Sequence, residues 1–201
     1  MLTFRVDVDY AFSFRLKSFV YTLFRWRSEK DYLFYAKLLA RIINRAKCDV
    51  RVYWFFSSYN SPDAELLALL DSERHEIGLH VINNPVKELK ELEVATQRKI
   101  SYYTIHGTSR LLGQIIWHRR LGQKQVKIPT DFKLKSFHSD NTYCLDSFCY
   151  QFSEEEATKA IKHYIAEDGV VECHPEWLVC RGKINHRGPY VKVLQNILED
   201  K

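Results

Sequence analysis

Apolar and polar residues alternate over Leu2–Val8, the period of two that turns one face of a β-strand into a core. Val50–Phe56 is a second such run, rich in β-branched and aromatic side chains. Shorter strand patterns occupy residues 76–80, 101–105 and 170–173. Between them the apolar spacing lengthens to the helical period over residues 28–44, 64–70, 85–99, 152–166 and 189–199. Ser61 is the expected N-cap of the second helix, with Pro62 at its first position. Ser153, followed three residues on by Glu156, forms a capping-box pattern at the fourth. Strand and helix alternate, which predicts an α/β fold with a mainly parallel sheet and helices outside it. A βα barrel, distorted or short of eight strands, fits this order, and an open doubly wound sheet is the alternative. In both, reactive groups gather at the carboxyl ends of the strands.

Candidate chemistry falls at those ends. Asp7 and Asp9 close the first strand two residues apart, so both carboxylates share one face. Two like charges so placed are costly unless a cation or a proton lies between them. They therefore suit a metal site or a general base; a solvated loop or a helix cap is the plainer alternative. His80 ends the short strand that His75 begins. His80 can ligate a metal or be a satisfied polar residue, whereas His75 sits at the opposite end and reads as structural. His106, followed by Gly107, closes the 101–105 strand. His174 follows Val170–Cys173, and Pro175 stops that strand from continuing. His174 can act as a ligand or a general acid. Glu176 can orient it, and Trp177 can stack on a substrate ring or pack in the core. Cys144 and Cys149 carry no recognisable ligand pattern.

Composition narrows the class only a little. The 201 residues fit one domain. Lys and Arg exceed Asp and Glu by 30 to 25, a mild excess with scattered basic residues and no nucleic-acid motif, so no nucleic-acid partner is expected. Five cysteines, an odd number without zinc-ribbon spacing, read as reduced thiols in a reducing, cytoplasmic setting. No secretory leader or membrane-spanning run is visible. The aromatic and basic stretch 12–27 reads as a helix with one buried face, with a surface-lying membrane helix as the alternative. Neither a phosphate-binding glycine loop nor a Gly-x-Ser-x-Gly elbow occurs.

Taken in order, these motifs resemble the NodB-like polysaccharide deacetylases over most of the chain, from Leu2 to Leu178. The run Tyr53-Trp54-Phe55-Phe56, then Ser61 to Leu67, then His75-Glu76-Ile77-Gly78-Leu79-His80 is its most specific part. Asp7-Val8-Asp9, Tyr103-Thr104-Ile105-His106-Gly107 and His174-Pro175-Glu176-Trp177 are similar to the opening, third and last motifs, most nearly those of a WbmS-like branch. The resemblance implies a distorted (β/α) barrel of about seven strands. It also implies one divalent metal, usually zinc, held by an Asp and two His, and an amino-sugar or polysaccharide substrate that loses an N-acyl group. Carried over, Asp9 and His80 are metal ligands, Asp7 the general base and His174 the general acid. The family's second metal histidine lies four residues after the first, and Asn84 stands there instead. His106 is then the expected third ligand. The aspartates are also one residue further apart than the family's adjacent pair, so base and ligand can be exchanged. Arg110, Asp140, Glu176 and Trp177 are candidate substrate contacts. A catalytically weak glycan-binding relative is the alternative function.

Overall fold

A computed structural model describes residues 1–8, 29–58, 60–70, 73–82, 84–105, 126–137, 141–181 and 186–199. Seven parallel strands form one sheet: β1 (Leu2–Val8), β2 (Val50–Phe56), β3 (His75–Val81), β4 (Tyr102–Ile105), β5 (Lys135–Ser136), β6 (Thr142–Cys144) and β7 (Val170–Cys173). Their spatial order is β5-β4-β3-β2-β1-β7-β6. That is sequence order wrapped round a ring, broken only between β5 and β6. A flat seven-stranded sheet would hold its edge strands roughly 29 Å apart. Ser136 and Thr142 end and begin those two strands, and the chain between them reaches at most about 21 Å. The sheet must therefore curl, and the half-barrel excludes the open doubly wound alternative.

Among the described residues the helices are α1 (Glu29–Asn44), α2 (Ala64–Leu69), α3 (Pro85–Thr96), α4 (Leu145–Gln151), α5 (Glu154–Ala166) and α6 (Val191–Glu199), with a 3₁₀ turn at Pro175–Trp177. Among the described residues, no helix is long and apolar enough to cross a membrane. Period two sends Leu2, Phe4, Val6 and Val8 outward, in register with Val50, Val52, Trp54 and Phe56. Leu39, Ala40 and Ile43 of α1 and Leu194 and Ile197 of α6 join the same buried core. His75 also faces outward, as its register with Val52 requires. Its Nδ1 accepts from Trp54 Nε1 at 2.9 Å and its Nε2 meets Asn44 Oδ1 at 2.7 Å, which makes it a structural tie between sheet and α1.

Several boundaries differ from those the sequence predicts. The cap of α2 is Asp63, not Ser61: its carboxylate accepts from Leu66 N at 2.8 Å and pairs with Lys37 at 2.7 Å. An aspartate anchored to α1 in this way fixes the helix start two residues later than Pro62 suggests. Helix α3 stops at Thr96 because Gln97 adopts a left-handed conformation, φ 54°. The capping box of Ser153 and Glu156 is present at α5.

The inner face divides into two halves. Tyr53, Phe55, Tyr102 and Phe137 form an aromatic half, with Phe55 and Phe137 centroids 5.2 Å apart. Gly78 lies beside Phe55 in register, and a Cβ there would stand 2.4 Å from the Phe55 ring. The absence of a side chain at Gly78 lets the ring lie against β3 and face Arg5, 5.9 Å away. Gly78→Ala is expected to cost about 1–3 kcal/mol of unfolding free energy by overpacking, read as a lower urea midpoint.

Candidate functional site

The polar half of the inner face is built by β1, β7 and the end of β6. Arg5 and Asp7 share the inner face of β1, and Glu172 and His174 continue that of β7. Arg5 stands in register with Glu172. Two residues further along, Asp7 comes beside His174, which keeps an extended backbone (φ −119°, ψ 124°) before the chain turns into Pro175–Trp177. Period two thus stacks two polar layers, Arg5 and Glu172 below Asp7 and His174.

Each member of the upper layer has an ionic partner. Arg5 donates to both oxygens of Asp7, from Nε at 2.9 Å and from Nη2. It also lies 3.7 Å from Glu172. His174 Nδ1 is 3.2 Å from Asp146 Oδ1. Asp146 is fully buried in the first turn of α4 and accepts from Arg187 Nη1 at 2.8 Å. Burial opposes its charge, but His174 and Arg187 outweigh burial and hold the carboxyl below the usual carboxylate range. An ionised Asp146 only accepts, so His174 Nδ1 carries the proton between them. The segment 186–190 clamps the pair from outside: Gly188 N donates to Asp146 O at 2.7 Å, and Tyr190 Oη donates to His174 O at 3.0 Å. Gly188, at φ 55°, is packed so closely that a Cβ would meet the Cys180 and Trp177 carbonyl oxygens at 2.4 Å.

Glu172 behaves differently. Burial first, then the nearby Asp7 carboxylate, raise its pKa above the ordinary value despite Arg5 and His174. Its Oε1 lies 3.7 Å from His174 Nε2. Asp7, Glu172 and His174 each bring a ligating atom within 4.8 Å of the others, as do Cys144, Asp146 and His174.

His80 lies on β3 at the same carboxyl rim and is fully buried. Its Nδ1 meets Thr104 Oγ1, the register neighbour on β4, at 2.6 Å. The same nitrogen is 4.0 Å from Asp7 Oδ2. The fold therefore brings together Asp7, His80 and His174 of the sequence-predicted set. Asp9, His106, Arg110 and Asp140 lie outside the described residues. Glu176 and Trp177, expected to touch substrate, are 2% and 4% exposed; Trp177 joins the core, so its ring is used for packing. Asp146 holds the Nδ1 side of His174. Asn84 is exposed and caps α3, its side chain accepting from Lys87 N at 3.1 Å.

Arg5, Asp146, Glu172 and Arg187 belong to this candidate site and were not singled out from the sequence. Arg5 and Glu172 each precede a named residue by two along an extended run, a spacing visible in the sequence. Asp146 and Arg187 are brought in by long-range packing and have no local signature.

The sequence matches no protein-family model, and no curated protein matches it. Solved structures do resemble the fold. BA3943 from Bacillus anthracis, described as a CE4 family pseudoenzyme, is 11% identical, with a TM-score of 0.52 over 98% of this chain and 58% of its own. A mutant of BA3943, described as a pseudoenzyme with restored enzymatic activity, is 14% identical, with a TM-score of 0.51 over 98% of this chain and 60% of its own. This chain therefore spans about three-fifths of the length of the structures it resembles. Identity this low bears on the fold alone, and that fold is the curled seven-stranded parallel half-barrel of CE4, NodB-like proteins.

Proposed function

We propose that this chain is a metal-dependent deacetylase of the WbmS-like kind, hydrolysing an N-acyl group on an amino sugar or polysaccharide precursor. One observation carries the reading: a carboxylate and an imidazole, Asp7 and His174, meet at one rim beside His80, each held by its own ionic partner. Asp9, His80 and His106 would hold a divalent ion, and one Asp with two His suits zinc. Its burial at the rim supports that role for His80, and with Nδ1 on Thr104 the ligating nitrogen would be Nε2. Such an ion supplies a Lewis acid for the acyl oxygen and a water of lowered pKa.

The remaining chemistry belongs to the chain's own groups. Asp7 accepts the proton of the attacking water, and the two hydrogen bonds from Arg5 fix the direction of its lone pairs. His174 gives a proton from Nε2 to the departing nitrogen. Asp146 fixes the tautomer and steadies the imidazolium, the task of a buried carboxylate behind a catalytic histidine. Arg110 and Asp140 are the proposed sugar contacts. A cytoplasmic setting belongs to the same reading, on the odd count and unpaired spacing of the five cysteines in the sequence.

A second reading, a glycan-binding protein without catalysis, draws on the capping role of Asn84 and on the pseudoenzyme description of the similar structures. Acetate release separates the two. The zinc-loaded protein should free acetate from at least one member of a panel of N-acetylated amino sugars, their oligomers and their nucleotide-linked forms. Chelation should abolish release and added zinc restore it. Asp7→Asn and His174→Ala should each lower the rate by about 10²–10⁴-fold. Sugar binding without acetate release across the panel would transfer the assignment to the second reading.

Glu172 yields a pH signature. Its carboxyl ionises at a higher pH in the folded chain than in the unfolded one. The stability conferred by its neutral form is thus complete below about pH 4.3 and is lost as pH rises through the folded pKa. Glu172→Gln keeps a neutral group at every pH. It should melt above the parent protein at neutral pH, with the gap closing below about pH 4 in thermal melts.

A further inference from the structure

A different donor set lies behind His174, on the side away from Asp7 and Glu172. Cys144 ends β6, Asp146 lies in the first turn of α4 just after it, and His174 follows β7, the parallel neighbour of β6. Cys144 Sγ is 3.4 Å from Asp146 Oδ1, and His174 Nδ1 is 3.2 Å from that same oxygen. The three ligating atoms all fall within 4.8 Å of one another. In a tetrahedral zinc site, bonds of about 2.3 Å to sulfur and about 2.0–2.1 Å to nitrogen and oxygen set the ligand atoms roughly 3.3–3.6 Å apart. The two separations to Asp146 Oδ1 are close to such edges, and Cys144 Sγ and His174 Nδ1 lie within 4.8 Å of each other across the set.

We propose that Cys144 Sγ, Asp146 Oδ1 and His174 Nδ1 form a second, thiolate-containing site for a borderline or soft divalent ion such as zinc, with water at the fourth position. The donor chemistry favours such an ion over magnesium or calcium, which prefer all-oxygen shells. On binding, the Cys144 thiol and His174 Nδ1 each lose a proton to solvent, and no electrons move. Arg187 has the place of an outer partner. Its Nη1 donates to Asp146 Oδ2, the oxygen turned away from the ion, and to Cys144 Sγ, a bond that a thiolate accepts well. The segment 186–190 restrains the same two ligand residues through Gly188 and Tyr190.

This site shares no ligand with the proposed set of Asp9, His80 and His106, and its existence does not depend on the deacetylase reading. Only its consequence does. An ion on Nδ1 takes the nitrogen that Asp146 otherwise holds and stops the ring from becoming an imidazolium. Occupancy would then switch off the general acid, making the site inhibitory.

Cobalt(II) is the probe. Titrated into the chelator-stripped full chain, it should raise a sulfur-to-cobalt charge-transfer absorption in the near ultraviolet. That band should vanish in Cys144→Ser. It should survive in Cys149→Ser, which removes a neighbouring thiol, and in His80→Ala, which removes a ligand of the deacetylase centre. A second measurement needs no variant: zinc should slow maleimide labelling of Cys144 in the parent protein at least tenfold, read by peptide mass mapping. Absence of the band at saturating cobalt, its persistence in Cys144→Ser, or unprotected Cys144 under excess zinc would overturn the site. None of these readouts uses substrate. A protein that binds cobalt through sulfur but releases no acetate keeps this site and loses the deacetylase.

Discussion

The short connection between β5 and β6 governs the shape of this molecule. Two strands at opposite edges of a seven-stranded sheet are joined by too few residues to let that sheet lie flat. The sheet curls into a half-barrel, and each strand then has one face toward the helices and one toward a concave interior. In a flat sheet Arg5, Asp7, Glu172 and His174 would lie on an open surface. In the curled one they share a confined space with Phe55 and Tyr53, where charge is expensive unless it is compensated.

Compensation is what the polar half displays. Arg5 grips Asp7, and Arg187 and His174 flank Asp146. Glu172 is the group left most exposed to this cost, and its raised pKa records burial beside another carboxylate. Removing one member of such a buried pair leaves an uncompensated charge, which harms stability more than the pair itself helps it. Stability at this rim therefore rests on the same groups that the proposed chemistry would use.

Much of the fold was legible because its signals are local. Alternation along β1 and β2, the charge-rich helix before β4 and the capping box of Ser153 are patterns within a few residues, and each produced the expected element. What escaped is short or borrowed. Strand β5 has two exposed residues, too few to form a period. Helix α4 begins directly at the end of β6 with no side-chain cap to announce it. Asp146 gains its place through that helix, so a reader who misses α4 also misses the partner of His174. Asp7, His80 and His174 could be picked out singly because each ends a strand. Their pairing with Arg5, Thr104 and Asp146 depends on register, which only the folded sheet supplies.

Position 84 illustrates how one residue can be claimed by competing duties. Asn84 caps α3, and the Glu88 carboxylate accepts from the backbone nitrogens of both Ile82 and Asn84, so the corner is knitted by its own side chains. An imidazole introduced at that corner would forfeit a cap worth about 1 kcal/mol. It would also have to swing from solvent into the interior before reaching any ion beside His80. Gaining a ligand here thus means loosening the start of a helix, and the corner would need rebuilding before the exchange became favourable.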